Sequence, residues 1–594
     1  MEPVGSIEGR SLPDRRRDVA SLLAAAGYFL LLAVALTWPL ASVAGRSVLG
    51  DVGDSFYFIW EIGWLRSTLL GGGLPSLVAT GINFPEGWYL TSTDISPGML
   101  LLALPGALLW GPAAGYNSAA LLSYLIGGLT MFAWIREETD DAWAGILAGT
   151  IYVAAPFRTA HLLAGHLNIL GTQWLPLCLA GVIAYLRGRS PLVRGLALAA
   201  LGYFLTALSS MYFAYMTLVV VAVFALLVVL LSGKGRRREV LRRGAVLGGV
   251  LLGTAGVAAI PYLVTPRSMV PVRDFAAAVR GSASPVDFVI PPTFHWLWGK
   301  WVGSLVSRPN WIEGTLYVGV AVAALAGFAI FVRPGFGKIW QRLPAALALS
   351  AAGSLILALG VVLRWGSRTV MLPWSLGVPS LDTPEGTPVL LPGYLLWRLL
   401  PGYSSMRVLT RYDVLVILFL AALAGVGLAL LRQRLSGAGR GAAAALAIGL
   451  VIVEFLPRPA PITRVEGRPV DTWLAAQPGS GAVVQLPYEE NADSQAQIYY
   501  TLIHKKPLVG GLYGSFITRQ HNTLREPLGS FPSAGSAQQL RDLGVGYVMV
   551  DVAWYEARDL MDDVQVLAAA QGWSTGPVLD GVAVFLSRPS ESGK

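Results

Sequence analysis

The sequence predicts a mostly α-helical bundle that crosses a membrane about eleven times, N-terminus inside and C-terminus outside, followed by a small α/β extracytoplasmic domain. Three observations carry this expectation. Of 594 residues, 54% are hydrophobic and only 13% are charged, whereas a soluble domain carries about 25% charged residues. The apolar residues fall in long blocks, as a bilayer demands, and not in the scattered pattern of a soluble core. The basic residues behind a formal net charge of +9 gather in short connectors between those blocks, the bias of cytoplasmic loops. That placement accounts for the charge, so the expected partner is the lipid bilayer and not nucleic acid.

Residues 1–18 read as a basic cytoplasmic N-terminus, with Arg15, Arg16 and Arg17 ahead of the first apolar run. That run, 19–44, is too long for the apolar core of a cleaved signal, even though Ala41 to Ala44 has the small residues of a cleavage site. An uncleaved first span is therefore expected. Further spans are expected at 117–135, 142–157, 168–186, 194–210, 211–232, 244–264, 313–332, 344–363, 413–431 and 440–457. Basic connectors at 187–189, 234–243, 333–342 and 432–440, all taken as cytoplasmic, require an even number of crossings between them. This splits 194–232 near Ser209 and Ser210. The segment Pro97–Pro112, broken by Pro105, is too short to span and suits a re-entrant or interfacial helix; counted as a span, it would break the parity.

The transmembrane domain then occupies 19–457. The outer face receives the loops 45–116, 158–167, 265–312 and 364–412, and the tail 458–594. The tail changes character. Gly481–Pro487 reads as a strand, Ala492–His504 as a helix, and Ala537–Gly544 as a helix leading into the strand Tyr547–Asp551. Val564–Gln571 reads as a helix before a final hairpin at 578–586. The single cysteine, Cys178, excludes an intrachain disulfide and reads as a small buried apolar residue.

No ionisable residue lies in the middle of a span; Glu313, Asp413 and Glu454 come nearest, at span ends. Proton-coupled transporters place such groups at bilayer depth, which argues against that class. The outer loops hold the candidates. Asp51 and Asp54 follow glycines just after the first span, ahead of an aromatic stretch, Phe56–Leu70. That stretch suits an interfacial helix with Trp60 and Trp64 at headgroup level. A carboxylate there could take a proton from an acceptor hydroxyl, or could merely cap the helix.

Arg158, His161 and His166 crowd the short loop between two spans, where they could hold a lipid phosphate or simply face headgroups. The histidines are five apart, not the i, i+4 pair of helical zinc ligands, so no metal ligands are assigned. Arg407 and Arg411, at i, i+4 before the tenth span, could share one anion or contact headgroups. Arg267, Arg273, Glu86 and Asp94 are weaker candidates. In the tail, Glu489 to Asp493 and His504 to Lys506 could mark a saccharide or partner surface, though a solvated face is the plainer reading.

This layout resembles the glycosyltransferase-C superfamily, whose members use polyprenyl-phosphate sugars. Asp51 and Asp54 fall where that superfamily places its acidic motif. Pro97–Pro112 matches its Pro-flanked apolar segment, and Arg158 and His161 lie where it often sets active-site polar residues. The chain is more closely similar to a group of uncharacterised bacterial membrane proteins in that superfamily. The shared stretches are Gly53-Asp54, Asn83-Phe-Pro85, Pro156-Phe-Arg158, His166-Leu-Asn168, Gln173-Trp-Leu-Pro176, His504-Lys-Lys-Pro507 and Leu543-Gly-Val-Gly-Tyr547-Val. One departure stands out: the superfamily often has two adjacent acids, whereas here they are three apart, which leaves the identity of the base open.

The resemblance implies an inverting transferase in the bacterial cytoplasmic membrane. It would move a sugar from a polyprenyl-phosphate donor to a glycan, lipid or protein acceptor on the outer face. Asp54 or Asp51 would be the general base, with Arg158, His161, His166, Arg407 and Arg411 at the donor phosphate. No cofactor is assigned, and a divalent metal is left open. The competing expectations are a lipid or glycan transporter and a non-catalytic envelope scaffold acting through its tail.

Overall fold

The structure, a computed structural model, describes residues 12–189, 191–266, 269, 274–306, 310–332, 343–375, 386–489, 492–511 and 518–587. The connector 333–342, Arg267 and Arg273 lie outside these residues.

The apolar blocks form helices wherever no proline or glycine interrupts them. The first runs Leu12–Leu36 (α1) and stops ahead of Pro39. After the outer loop come α2 (Asp54–Leu70), α3 (Pro97–Trp110) and α4 (Pro112–Thr139). Pro156, at a first-turn position that needs no N–H, divides the next block into α5 (Ala142–Ala154) and α6 (Pro156–Leu163). The following block is α7 (Leu167–Leu170) and α8 (Leu175–Arg187). Then come α9 (Leu192–Ser209), α10 (Met211–Leu231) and α11 (Lys234–Ala259). The bundle closes with α12 (Val320–Phe331), α13 (Leu343–Ala358), α14 (Asp413–Gln433) and α15 (Ala438–Phe455).

Among the described residues, 9 helices are long and apolar enough to cross a membrane, so the chain is an integral membrane protein. Every expected span contains a helix, but α12 and α13 have only 12 and 16 residues. At 1.5 Å per residue, α12 covers roughly 18 Å of a hydrocarbon core about 30 Å thick. The expected span 313–332 starts late because Gly319 takes φ +84, and helix begins only where the Glu454 carboxylate accepts from the amides of Val320 and Ala321 at 2.9 and 3.0 Å. Both short helices pack on α14, whose residues from Asp413 to Leu430 are all buried except the half-buried Leu420. Gly427 lets α12 approach closely, since a Cβ there would strike the Leu325 carbonyl.

The segment α3 folds back on α4 as a hairpin through close contacts at Gly106 and Gly115, and Leu101, Leu109 and Trp110 on it are exposed.

The tail joins the first outer loop by strand pairing. Ser47–Leu49 (β1) lies antiparallel to Ile462–Arg464 (β2), with Val48 opposite Thr463. Beyond α16 (Pro469–Ala475) comes a four-stranded sheet of β3 (Ala482–Leu486), β4 (Val545–Asp551), β5 (Ser574–Leu579) and β6 (Val582–Leu586), in the order β5-β6-β4-β3. Strands β3 and β4 are parallel and the other pairs antiparallel. Helices α17 (Ala492–His504), α18 (Arg519–Gly529), α19 (Ala534–Asp542) and α20 (Met561–Ala570) complete it.

Helix α17 packs on α2, and this corrects two sequence expectations. Phe56 meets Tyr499 edge-on at 5.6 Å, and Gly63 leaves room for Leu502. Residues Ser55 to Gly63 are therefore all buried. Trp60 is 2% exposed and stacks on the half-buried Trp64, so its ring packs against protein and not against headgroups. The end of α17 is a solvated face only at Lys505, which is exposed. His504 and Lys506 are buried, and the Lys506 ammonium donates to the carbonyls of Gln477 and Gly479 at 2.9 and 2.8 Å.

Candidate active site

Two glycines bring the first outer loop against the turn after α6. Gly50 sits at φ +90, where a Cβ would strike the Leu163 carbonyl, and Gly165 sits at φ +77, where one would strike the Ser55 amide. Both positions need a residue without a side chain, for conformation and for space. The loop is fixed from the tail as well, by Gly50 N to Pro461 O at 2.9 Å and Thr463 Oγ1 to Gly50 O at 2.6 Å.

This contact assembles a chain of polar groups. His166 Nε2 lies 3.3 Å from Asp54 Oδ2. His166 Nδ1 and His161 Nδ1 are 2.7 Å apart. His161 Nε2 faces Glu313 Oε2 at 3.7 Å. The Arg411 guanidinium donates to Glu313 Oε1 from Nη2 at 2.6 Å and from Nε at 3.1 Å, and Thr410 Oγ1 donates to the same carboxylate at 3.2 Å. At the other end, Gln495 Nε2 of α17 donates to Asp54 Oδ1 at 2.8 Å.

One hydrogen must lie between the two ring Nδ1 atoms. With one proton per ring, donation from His161 leaves the His166 proton on Nε2, directed at Asp54 at 3.3 Å, and His161 Nε2 bare at 3.7 Å from Glu313; the reverse arrangement would set the bare nitrogen at the shorter of the two contacts. Asp54 then accepts from Gln495 and has the His166 Nε2 group at 3.3 Å. It is the first residue of α2, whose cap is Gly53, so the capping alternative does not describe it. Asp51 is exposed and stands outside the chain of contacts.

Burial alone would raise the Glu313 carboxyl, but Arg411, with His161 beside it, holds it at about 2. Arg407 is half-buried, and desolvation together with Arg411 lowers its pKa. Residues 406–408 are not helical and Leu409–Tyr412 is a single 3-10 turn, so the two arginines do not stack at i, i+4 as expected. Arg411 is committed to Glu313 and lies over the Tyr212 ring at 5.1 Å. Among the described residues Arg407 has no carboxylate partner. It feels the charges of Glu313 and Asp54, so it lies within electrostatic reach of the cluster.

Arg158 is elsewhere. It is 1% exposed, donates to Thr172 and to Ser123 Oγ, the latter at 2.9 Å, and sits 4.7 Å from the Tyr124 ring centroid. Its guanidinium ties α4, α6 and the turn before α8 together, in place of the phosphate contact expected from the sequence. Asp94 accepts from Ser210 Oγ at 2.7 Å and from the Met211 amide at 3.1 Å, which caps α10.

Sequence reasoning missed Glu313 and Gln495. Glu313 was read as a span-end residue and Gln495 lies in a stretch without a motif. No local signal marks either, because both partners are distant in sequence.

His161, His166 and Glu313 could also hold a metal ion, with ligand atoms within 4.8 Å of one another. Two nitrogens bound to zinc at 2.0–2.1 Å in tetrahedral geometry lie about 3.3 Å apart. The rings would therefore have to part and give up their mutual hydrogen bond. As they stand they form a hydrogen-bonded relay, with donors suited to a divalent cation.

The family model described as "Domain of unknown function (DUF6311)" matches residues 62–381. No curated protein matches the chain. Among solved structures the chain is similar to the apo oligosaccharyltransferase of Archaeoglobus fulgidus, at 14% identity over 96% of this chain and 74% of that one, with a TM-score of 0.50. It is similar to ArnT from Cupriavidus metallidurans bound to undecaprenyl phosphate, at 14% identity over 97% and 99%, TM-score 0.50. It is also similar to the arabinofuranosyltransferase AftD from Mycobacteria, at 14% identity over 96% of this chain but 41% of that one, TM-score 0.51. At such identity the likeness is one of fold. The chain shares its fold with these three membrane proteins over nearly its whole length.

Proposed function

This chain belongs to the DUF6311 family, and we propose that it is an inverting membrane glycosyltransferase that takes a sugar from a polyprenyl-phosphate donor. Asp54 is its general base. The observation that carries this reading is a carboxylate that accepts a hydrogen bond from Gln495 and has the His166 ring nitrogen at 3.3 Å, within electrostatic reach of Arg407, which has no acidic partner among the described residues. The fold shared with a transferase bound to undecaprenyl phosphate supports it.

In the reaction, Asp54 takes the proton of the acceptor hydroxyl as its oxygen attacks the anomeric carbon. The bond from that carbon to the phosphate oxygen breaks, and the polyprenyl phosphate leaves with the electron pair. Arg407 meets the charge that develops on the leaving group. His166 and Gln495 orient the base, and the pair Glu313–Arg411 orients His161 behind it. A single displacement inverts the anomeric centre.

The test is donor turnover by the purified full-length protein, read as release of polyprenyl phosphate from a panel of synthetic polyprenyl-phosphate pentoses and hexoses with a sugar acceptor. Asp54→Asn should lose activity by roughly 10² to 10⁴, the usual contribution of a general base, while eluting as a folded protein. Wild-type turnover by folded Asp54→Asn sinks the assignment.

A further inference from the structure

A cavity of about 290 Å³ lies far from the Asp54 cluster. Helix α10 begins beneath the first outer loop, where Asp94 caps Met211, and the cavity sits at its other end, near Leu231 and Ser232. Its walls are apolar: Leu186 from α8, Phe224 and Val228 from α10, Val240 from α11 and Ala346 from α13. Its polar lining is Arg187, Arg236 and the turn Ser232–Gly233, without an acidic residue among the described residues.

The charge around this mouth is strongly positive. The first turns of α11 carry Lys234, Arg236, Arg237, Arg238, Arg242 and Arg243 against one acid, Glu239. Arg242 and Arg243 share that acid, at 3.2 and 2.9 Å. Arg187 and Arg189 share Glu138, each at 2.8 Å. Arg236 donates to the Arg187 carbonyl at 3.3 Å and has no acidic partner among the described residues. Gly188 brings a third guanidinium to the same corner, because a Cβ there would run into that of Arg243.

We propose that this cleft binds one anionic phospholipid, with an acyl chain between α8, α10 and α13 and its phosphate on Arg236 beside Arg187. An apolar slot between spanning helices, open at a mouth with excess guanidinium, is complementary to a lipid of that charge and to no soluble ligand of the outer site. The face is the one the basic connectors assign to the inner leaflet.

Native mass spectrometry of the full-length protein in mild detergent tests this, with equimolar phosphatidylglycerol and phosphatidylcholine of identical chains. Phosphatidylglycerol should be retained roughly fivefold better, the preference of about 1 kcal/mol that one basic side chain, Arg236, gives at a membrane surface while Arg187 is paired with Glu138. Arg236→Gln should lower its retention to that of phosphatidylcholine. Ala346→Phe, which fills the slot without touching charge, should lose both lipids, with Val228→Phe on the facing wall as the alternative if the first does not elute as a single folded species. Equal retention of the two lipids overturns the proposal. So does unchanged phosphatidylglycerol binding in a folded filled variant, or its full displacement by millimolar inorganic phosphate, which would indicate a simple anion site.

Discussion

Glu313 and Arg411 provide a measurable check on the polar chain behind Asp54. Their side chains are 8% and 13% exposed, so solvent screening takes little from the interaction. The Glu313 carboxyl is held at about 2 against its ordinary value of 4.5, which corresponds to roughly 3 kcal/mol. Removing one partner of a buried pair costs about 3–5 kcal/mol, since the other charge is left alone. The double-mutant cycle of Glu313→Gln, Arg411→Gln and the double variant should therefore give a coupling of roughly 3 kcal/mol at pH 7. Equilibrium unfolding in mixed micelles of neutral detergent and dodecyl sulfate, followed by tryptophan fluorescence, reads it. The sign with pH is fixed. A depressed carboxyl stabilises the fold fully above its unfolded value of 4.5, and that contribution is lost as pH falls towards about 2. The coupling should thus be constant from pH 8 to 5 and shrink below. Coupling under about 1 kcal/mol at pH 7, the value of an exposed pair, refutes the argument. Because Glu313 acts through His161, Glu313→Gln should also lower kcat by about 10–100-fold, as lost supporting contacts do, with KM unchanged.

Three other outcomes are expected. Gln495→Ala removes a neutral donor to Asp54 and should cost activity by about fivefold to tenfold, the worth of one hydrogen bond; Gln495→Glu, which sets a second carboxylate against the base, should cost more and shift the pH profile upward. Asp51→Asn should leave turnover within about twofold, because Asp51 is exposed and outside the polar chain, and a loss equal to that of Asp54→Asn would reassign the base. Burial, with Arg468 and Lys506 nearby, lowers His504 from 6.5 to about 3, so the folded tail excludes its proton. Stability should fall as pH drops from 6.5 towards 3, by up to about 1.4 kcal/mol per pH unit. His504→Asn should flatten that slope in limited proteolysis of the tail at pH 7 and pH 5.

The sequence by itself determined the bundle. Its apolar blocks are long enough to span and have too little charge to be a soluble surface, and a bilayer leaves a helix as the one way to satisfy such a backbone. It also determined the tail strands at 482–486 and 545–551, and it located Asp54, His161 and His166, which lie close to span ends in stretches short enough to read locally. Helix lengths were less legible. Nothing in residues 313–319 announces that helix starts only at Val320, since the cap that starts it comes from Glu454 on another helix. The partners of Asp54 belong wholly to the tertiary structure. Gln495 stands 441 residues away, and Glu313 joins His161 only because a loop and an outer turn fold over one another. Arg158 had the right neighbourhood in sequence, yet a helical residue's direction depends on which side its helix buries, and that side faces Ser123 and Tyr124. Periodicity and composition report what each segment does with water and lipid. Which side chains meet is decided by glycines at Gly50 and Gly165 that let two loops touch, and by a tail helix that covers α2.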